Sequence, residues 1–369
     1  MKTNASLLCG LAAALALAAV TQTSFAQTTA TDPVGFSTLS IAGTGGTQSS
    51  TISFLGLSMA RPTVFRAVAE TVNSTTVTCS SATWTDNQYA SSPAPGYFLE
   101  VFSGAKAGLM TQIISCSAAN KTLTVADDLT ALGVEGTNVT FKIRPNWSIG
   151  TVFGASNNVA VDVTTGQATG FVSGASASRA DGILLYNELL QNYDQYYYST
   201  TYSSWQKSGA EGTDQSNTSI LLQEGIVIKR RGGTNLTVSL SGEVKLGQTM
   251  VSVTSAGTAA GYNFRGNIYP SGSLTLGNSG LYSGDQTGAT GVIPGTSASR
   301  ADNVLIWNAG TNNYDQYYYS TTYSSWQKAG AEGSDQSGVS INTGASIVIK
   351  RKPNTAGFNW VIPQPFTVQ

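Results

Sequence analysis

The chain has 369 residues, 19 basic against 20 acidic and no histidine, with 11% charged residues and 40 glycines. The missing imidazole excludes Ser-His-Asp and Cys-His nucleophile systems and histidine metal sites, and the near-neutral balance leaves no electrostatic footprint for nucleic acid or anionic lipid. Few charges, many glycines and abundant Ser and Thr match exported all-β proteins, whose turns need glycine and whose strands accept threonine.

From its start the chain reads as a secretory signal peptide over residues 1–26: Lys2, an apolar run from Leu7 to Val20, then Ser24 and Ala26 as the small residues before a cleavage site. That run of 14 residues is too short to cross a bilayer as a helix, and no later stretch matches it. The expectation is an exported protein, periplasmic, cell-surface or extracellular, with no transmembrane segment in the mature chain. Cys9 leaves with the leader, and Leu8 before it argues against a lipidation site. Only Cys79 and Cys116 then remain, ending the strand-like runs TTVTC and QIISC. An even count in an exported chain points to a Cys79–Cys116 disulfide, with two free buried cysteines as the alternative.

Residues 27–147 read as an N-terminal β module. TDPVGFSTLSIAG alternates apolar and polar residues, Ile52 to Leu57 and Pro62 to Phe65 suggest further strands, and PGYFLEVF, MTQIISC, KTLTVADDL and VTFKIRPNW follow as strands and turns. Two similar β-sandwich-like units come next, at 148–263 and 264–369, expected to open with short apolar strands at Val152 and Ile268. NYDQYYYSTTYSSWQK at Asn192 to Lys207 recurs letter for letter at Asn313 to Lys328, and 30 of 40 positions match between Ala177–Ser216 and Ala298–Ser337 at a constant offset of 121 residues. The mismatches gather at Glu188–Gln191 against Ala309–Asn312, the mark of a tolerant loop. Ile183, Leu185 and Tyr186 become Val304, Ile306 and Trp307, swaps that a buried strand accepts.

Each copy predicts a β-hairpin in which Tyr196 and Tyr198 share one face and Tyr193 and Tyr197 the other. Such rows either fill a core or form a stacking platform. The candidate ligand or partner surface is Tyr193, Tyr196, Tyr198 and Trp205, with Tyr314, Tyr317, Tyr319 and Trp326 in the copy. The repeated acidic set is Asp194, Glu211 and Asp214, copied as Asp315, Glu332 and Asp335. It could supply the two carboxylates of a glycosidase or oxygen ligands for calcium, but its setting among glycines and hydroxyls fits solvated turns. Arg179 and Asp181, copied as Arg300 and Asp302, read as structural ion pairs. No catalytic, cofactor or metal motif emerges. The function expected is a non-enzymatic structural or adhesive exported protein, with polysaccharide or other surface proteins as partners; the alternative is a carbohydrate-binding protein with two aromatic platforms.

The segments DPVGF, LGLSMARPTVF, FKIRPNWSIGTVFG and YDQYYY, followed by Trp205 and IVIKRR, resemble a family of exported β-rich proteins from verrucomicrobial bacteria. The resemblance spans most of the mature chain. It implies export, attaches no activity and supplies no catalytic residues.

Overall fold

The computed structural model describes residues 32–46, 49–255 and 257–367; the expected signal peptide and Cys9 lie outside them. Among the described residues there are twenty-five strands and one short helix, so the chain is all-β. Among the described residues no helix is long and apolar enough to cross a membrane.

Seven short antiparallel strands form the first sheet, in the order Phe65–Ala69, Val139–Pro145, Tyr97–Val101, Met110–Ser117, Thr122–Val125, Thr76–Thr78, Thr71–Val72. The first and last of these are one chain path interrupted only at Glu70, so the sheet curls back on itself as a small barrel. Closure removes the exposed edges that would otherwise recruit other strands. Val77, Trp84, Leu99, Ile113, Leu123 and Phe141 fill its interior.

The same geometry settles the cysteines. Both thiols are free and buried. Cys116 lies opposite Leu123, Val77 pairs with the other edge of that strand, and the Cys79 N–H donates to the Lys121 carbonyl. The strand Thr122–Val125 therefore separates the two cysteines by about 9–10 Å, two strand spacings, beyond the roughly 7 Å Cα separation that a disulfide spans. The expected disulfide is corrected to two separate thiols: Cys79 lies against Ser81 Oγ at 3.2 Å, and Cys116 donates to the Thr85 carbonyl.

The repeated segments build two five-stranded sheets. One runs Ser204–Lys207, Asn192–Ser199, Gly182–Asn187, Gly225–Arg230, Thr51–Gly56; the other runs Ser325–Lys328, Asn313–Ser320, Asn303–Asn308, Ser346–Arg351, Gly261–Gly266. Strand order and register agree between them: Ile183 faces Tyr196 as Val304 faces Tyr317, and Tyr198 faces Trp205 as Tyr319 faces Trp326. Pairing crosses the boundaries that the sequence suggests. Thr51–Gly56 precedes the barrel in the chain yet completes the first repeat sheet, while all of Gly261–Gly266 belongs to the second. Beside them lie a four-stranded sheet, Val34–Ile41, Leu236–Glu243, Ala160–Asp162 and Ala168–Thr169, and a two-stranded ribbon, Thr249–Val253 with Phe358–Ile362.

Val152, expected in a strand, lies in the helix Ile149–Phe153. Ser148 caps its start by accepting from the Thr151 N–H, while Thr151 Oγ1 accepts from the Ser148 N–H, a reciprocal capping box. Gly154 ends it at φ 83°, a conformation that side chains resist.

Candidate functional site

The two tyrosine strands bring the repeats together. On one face of the first sheet, Phe54, Tyr186 and Tyr193 meet Phe264, Trp307 and Tyr314 of the second, and the contacts are reciprocal. Tyr186 packs on Phe264 at 4.4 Å and Phe54 on Trp307 at 5.2 Å; Tyr193 meets Phe264 edge-on at 5.3 Å and Phe54 meets Tyr314 at 5.3 Å. Phe54 and Phe264 stack across the centre. Burial pushes the Tyr314 hydroxyl up to about 12. When residue i touches the counterpart of j and j touches the counterpart of i, the surface is self-complementary about a twofold. Here both halves belong to one chain.

The opposite faces are also filled. Tyr196, Tyr317, Trp205 and Trp326 are buried in the main core, with Tyr198 and Tyr319 half-buried against it. Trp205 packs near Phe153 and Phe171 and donates its indole N–H to the Gly154 carbonyl at 2.8 Å. Tyr197 and Tyr318 are buried too, so the expected surface residues lie mostly inside. The tyrosines most open to solvent are Tyr202 and Tyr323 in the hairpin turns, each 51% exposed.

The repeated acids go to local roles. Asp194 pairs with Lys207 at 2.9 Å and Asp315 with Lys328 at 2.8 Å. Glu211 accepts from the Gly209 N–H and the Tyr197 hydroxyl, as Glu332 does from Gly330 and Tyr318. Asp214 and Asp335 each accept from a serine N–H and hydroxyl two residues on. Asp181 and Asp302 pair with the arginines that end the IVIKR strands, Arg230 and Arg351, in fully buried bridges. Among the described residues no group of three or more Cys, Asp and Glu is placed to hold a metal ion.

Two charged clusters fall outside the repeated set. The first is a buried network in which Arg144 contacts Asp32, Glu100 and Glu243, while Lys142 pairs with Asp32 and Lys245 with Glu100. It joins the first described residues to the barrel and to the link between the two sheets. Burial raises the Asp32 carboxyl, but its hydrogen bond from Lys142 and the nearby Arg144 charge more than offset this and leave it below its ordinary value. Glu100 is lowered in the same way by Lys245 and Arg144 against its burial.

The second cluster lines a cavity of about 270 Å³ where the sheets meet, bounded by Tyr186, Glu188, Glu224, Ser252, Phe264 and Arg265. Arg265 is pinned by two bonds to the Ser252 carbonyl, at 3.0 and 2.6 Å, and pairs with Glu188. The other Glu188 oxygen accepts from Thr254 at 3.0 Å. Glu224 Oε2 accepts from the Leu221 N–H at 3.1 Å. Desolvation pushes the Glu224 carboxyl up to about 7, assisted by Glu188 and opposed by the Leu221 hydrogen bond and Arg265.

The copies differ most sharply in charge at this cavity. The bridge between Glu224 and Arg265 is mirrored across the twofold by one between Ala345 and Leu55, and Glu188 corresponds to Ala309. All three charged groups thus occur on one side only. Reading the Glu188 mismatch as loop tolerance missed this; comparing the copies for charge at structurally equivalent positions reveals it.

Comparison with protein-family models, with curated proteins and with solved structures finds no match.

Proposed function

We propose that this chain is a non-enzymatic exported β-protein with a structural or adhesive role at the cell surface or outside the cell. The observation that carries this reading is the reciprocal aromatic seam: the repeat places its most distinctive residues where they lock two sheets together. The repeated acids support the same reading, since each is engaged in a turn or an ion pair. Residues 1–26 supply the export signal in this reading.

Tyr202 and Tyr323 give the body two equivalent exposed contacts for a polysaccharide or another surface protein. Paired weak contacts gain from effective concentration when both can engage. The carbohydrate-binding alternative would rest on these turn tyrosines and on the edges of Tyr198 and Tyr319.

The test is to express the whole chain in an export-competent bacterium, fractionate the cells and shave intact cells with protease. Recovery outside the inner membrane, followed by retention on a surface or matrix that the Tyr202→Ser, Tyr323→Ser variant binds less well, is the expected outcome. Cytoplasmic retention of the unprocessed chain would remove the export reading. Retention only on a defined polysaccharide, lost in the double variant, would favour the carbohydrate-binding alternative.

A further inference from the structure

On both sides of the segment IVIKR the two copies differ almost everywhere. From Asn217 to Glu224 two of eight residues match their counterparts 121 positions on, and from Gly232 to Leu240 one of nine does, yet Ile226–Arg230 and Ile347–Arg351 are identical. Four of those five residues are buried, three in apolar packing and the arginine in its bridge to Asp181 or Asp302. The fifth, Lys229 or Lys350, is half-buried, and core packing does not explain it. Positive charge is also kept at Arg179 and Arg300 and at Arg231 and Lys352, so six of the chain's 19 basic residues fall in two equivalent groups. Among the described residues none of the six forms an ion pair. The carboxylate beside each group, Asp181 or Asp302, is spent on the buried arginine and on backbone N–H groups. Cations gathered without a counter-ion repel one another and attract an anion from outside.

In the second repeat the group edges a cavity of about 530 Å³, whose lining includes Ser299, Asn303, Gln316, Lys350 and Lys352. Asn303 and Lys350 pair across neighbouring strands, so their side chains rise from the same face. Lys350 Nζ sits 5.7 Å over the Tyr262 ring, and Lys352 Nζ donates to the Arg300 carbonyl at 2.9 Å. These contacts hold both ammonium groups and leave each with N–H donors to spare. Gln316 Nε2 donates to Asn303 Oδ1 at 2.8 Å, which leaves the Gln316 Oε1 as an acceptor at the cavity wall. The site therefore offers two cations to an oxyanion, with an amide oxygen and the Ser299 hydroxyl for alcohol groups beside it. None of the lining residues is aromatic, so nothing there stacks a nucleobase.

We propose that this cavity binds the carboxylate or sulfate groups of an acidic polysaccharide between Lys350 and Lys352, and that Lys229 and Arg231 give the first repeat a matching contact. The assignment rests on the reading that the chain contacts polysaccharide outside the cell, and it names the class.

Biolayer interferometry on the immobilised whole chain tests it, with polygalacturonate, dextran sulfate, neutral dextran and double-stranded DNA as probes. Binding of an acidic polymer but not of neutral dextran is expected, and the tighter of the two identifies the oxyanion. Lys350→Gln with Lys352→Gln should weaken that binding by at least about tenfold, the worth of one charge-assisted hydrogen bond, without moving the melting transition. Adding Lys229→Gln and Arg231→Gln should abolish it, while Lys350→Arg with Lys352→Arg should retain it. Arg66→Gln with Lys106→Gln removes the same net charge from the barrel and should leave binding unchanged. No binding of either acidic polymer, equal weakening by the barrel variant, or DNA bound as tightly as the acidic polymers would overturn the proposal. Neutral dextran bound equally by the parent and the fourfold variant would also overturn it, yet leave the polysaccharide reading standing.

Discussion

A methyl group added at Gly56 would lie 2.7 Å from the Gly266 Cα and 2.5 Å from the Ala345 carbonyl oxygen, and one at Gly266 would meet Gly56 at the same 2.7 Å. The obstacles are backbone atoms, so no rotamer relieves them. Gly56→Ala should therefore cost on the order of 2–4 kcal/mol by forcing the two sheets apart, whereas Gly209→Ala would test a positive-φ turn with open space around it. Denaturant unfolding of Gly56→Ala checks this, and a loss within about 0.5 kcal/mol would mean the sheets separate without strain. Trp205 gives a second test at this scale. It is fully buried with its N–H bonded to Gly154, so Trp205→Ala should cost roughly 3–5 kcal/mol, and a melting transition unchanged from the parent would contradict its core role. The division of Tyr193 and Tyr197 from Tyr196 and Tyr198 was legible because side chains alternate along any strand. The fate of Cys79 and Cys116 was not, because it depends on which distant strand lies between them.

Among elements, the ionic network around Arg144 ties four separate segments together: the start at Asp32, the barrel strands carrying Glu100 and Arg144, and the link with Glu243 and Lys245. No motif announces it, since each member is a lone charge in its own segment and only the strand pairing assembles them. Its worth is best seen by unbalancing it. Glu100→Gln leaves Lys245 and Arg144 with surplus buried charge and should cost about 3–5 kcal/mol, while Glu100→Leu with Lys245→Met removes a pair together and should cost less. A double variant less stable than the single would contradict this account. The pH dependence has a definite sign. Asp32 and Glu100 are lowered from ordinary values of 3.8 and 4.5, so their contribution is complete above those values and is lost as pH falls through the lower folded ones. Glu224 runs the other way. Its carboxyl is raised from 4.5 to about 7, so its neutral form favours the fold and stability falls as pH rises between those values. Melting curves of Glu224→Gln should thus gain on the parent at pH 8 and match it near pH 4, whereas an equal gain at both would show that its charge is not the cause.

For the whole molecule, the duplication was legible from the 121-residue offset, but the route of the chain was not. Thr51–Gly56 and Gly261–Gly266 read TISFLG and GYNFRG, sharing only Phe and Gly, so sequence comparison does not reveal that they fill the same place in the two sheets. Those two shared letters are the residues at the twofold, Phe54 stacked on Phe264 and Gly56 against Gly266. A consequence follows for a fragment ending at Gly247, which keeps the barrel and the first sheet but loses the second. Its exposed face would carry Phe54, Tyr186 and Tyr193, the counterparts of the residues it lost, and a self-complementary surface joins two copies in a closed dimer. One contact would be wrong in that dimer: Glu224, matched with Arg265 in the intact chain, would face Leu55 of the other copy and bury an uncompensated carboxylate. The intact chain shows the remedy, because Ala345 faces Leu55 on its second side. The fragment should therefore dimerise, and Glu224→Ala should tighten the dimer at neutral pH by at least about tenfold, a gain of roughly 1.4 kcal/mol. Light scattering after size exclusion would measure both. A soluble monomer at every concentration, or a dimer that Glu224→Ala weakens, would show that the aromatic seam holds the sheets together only within one chain.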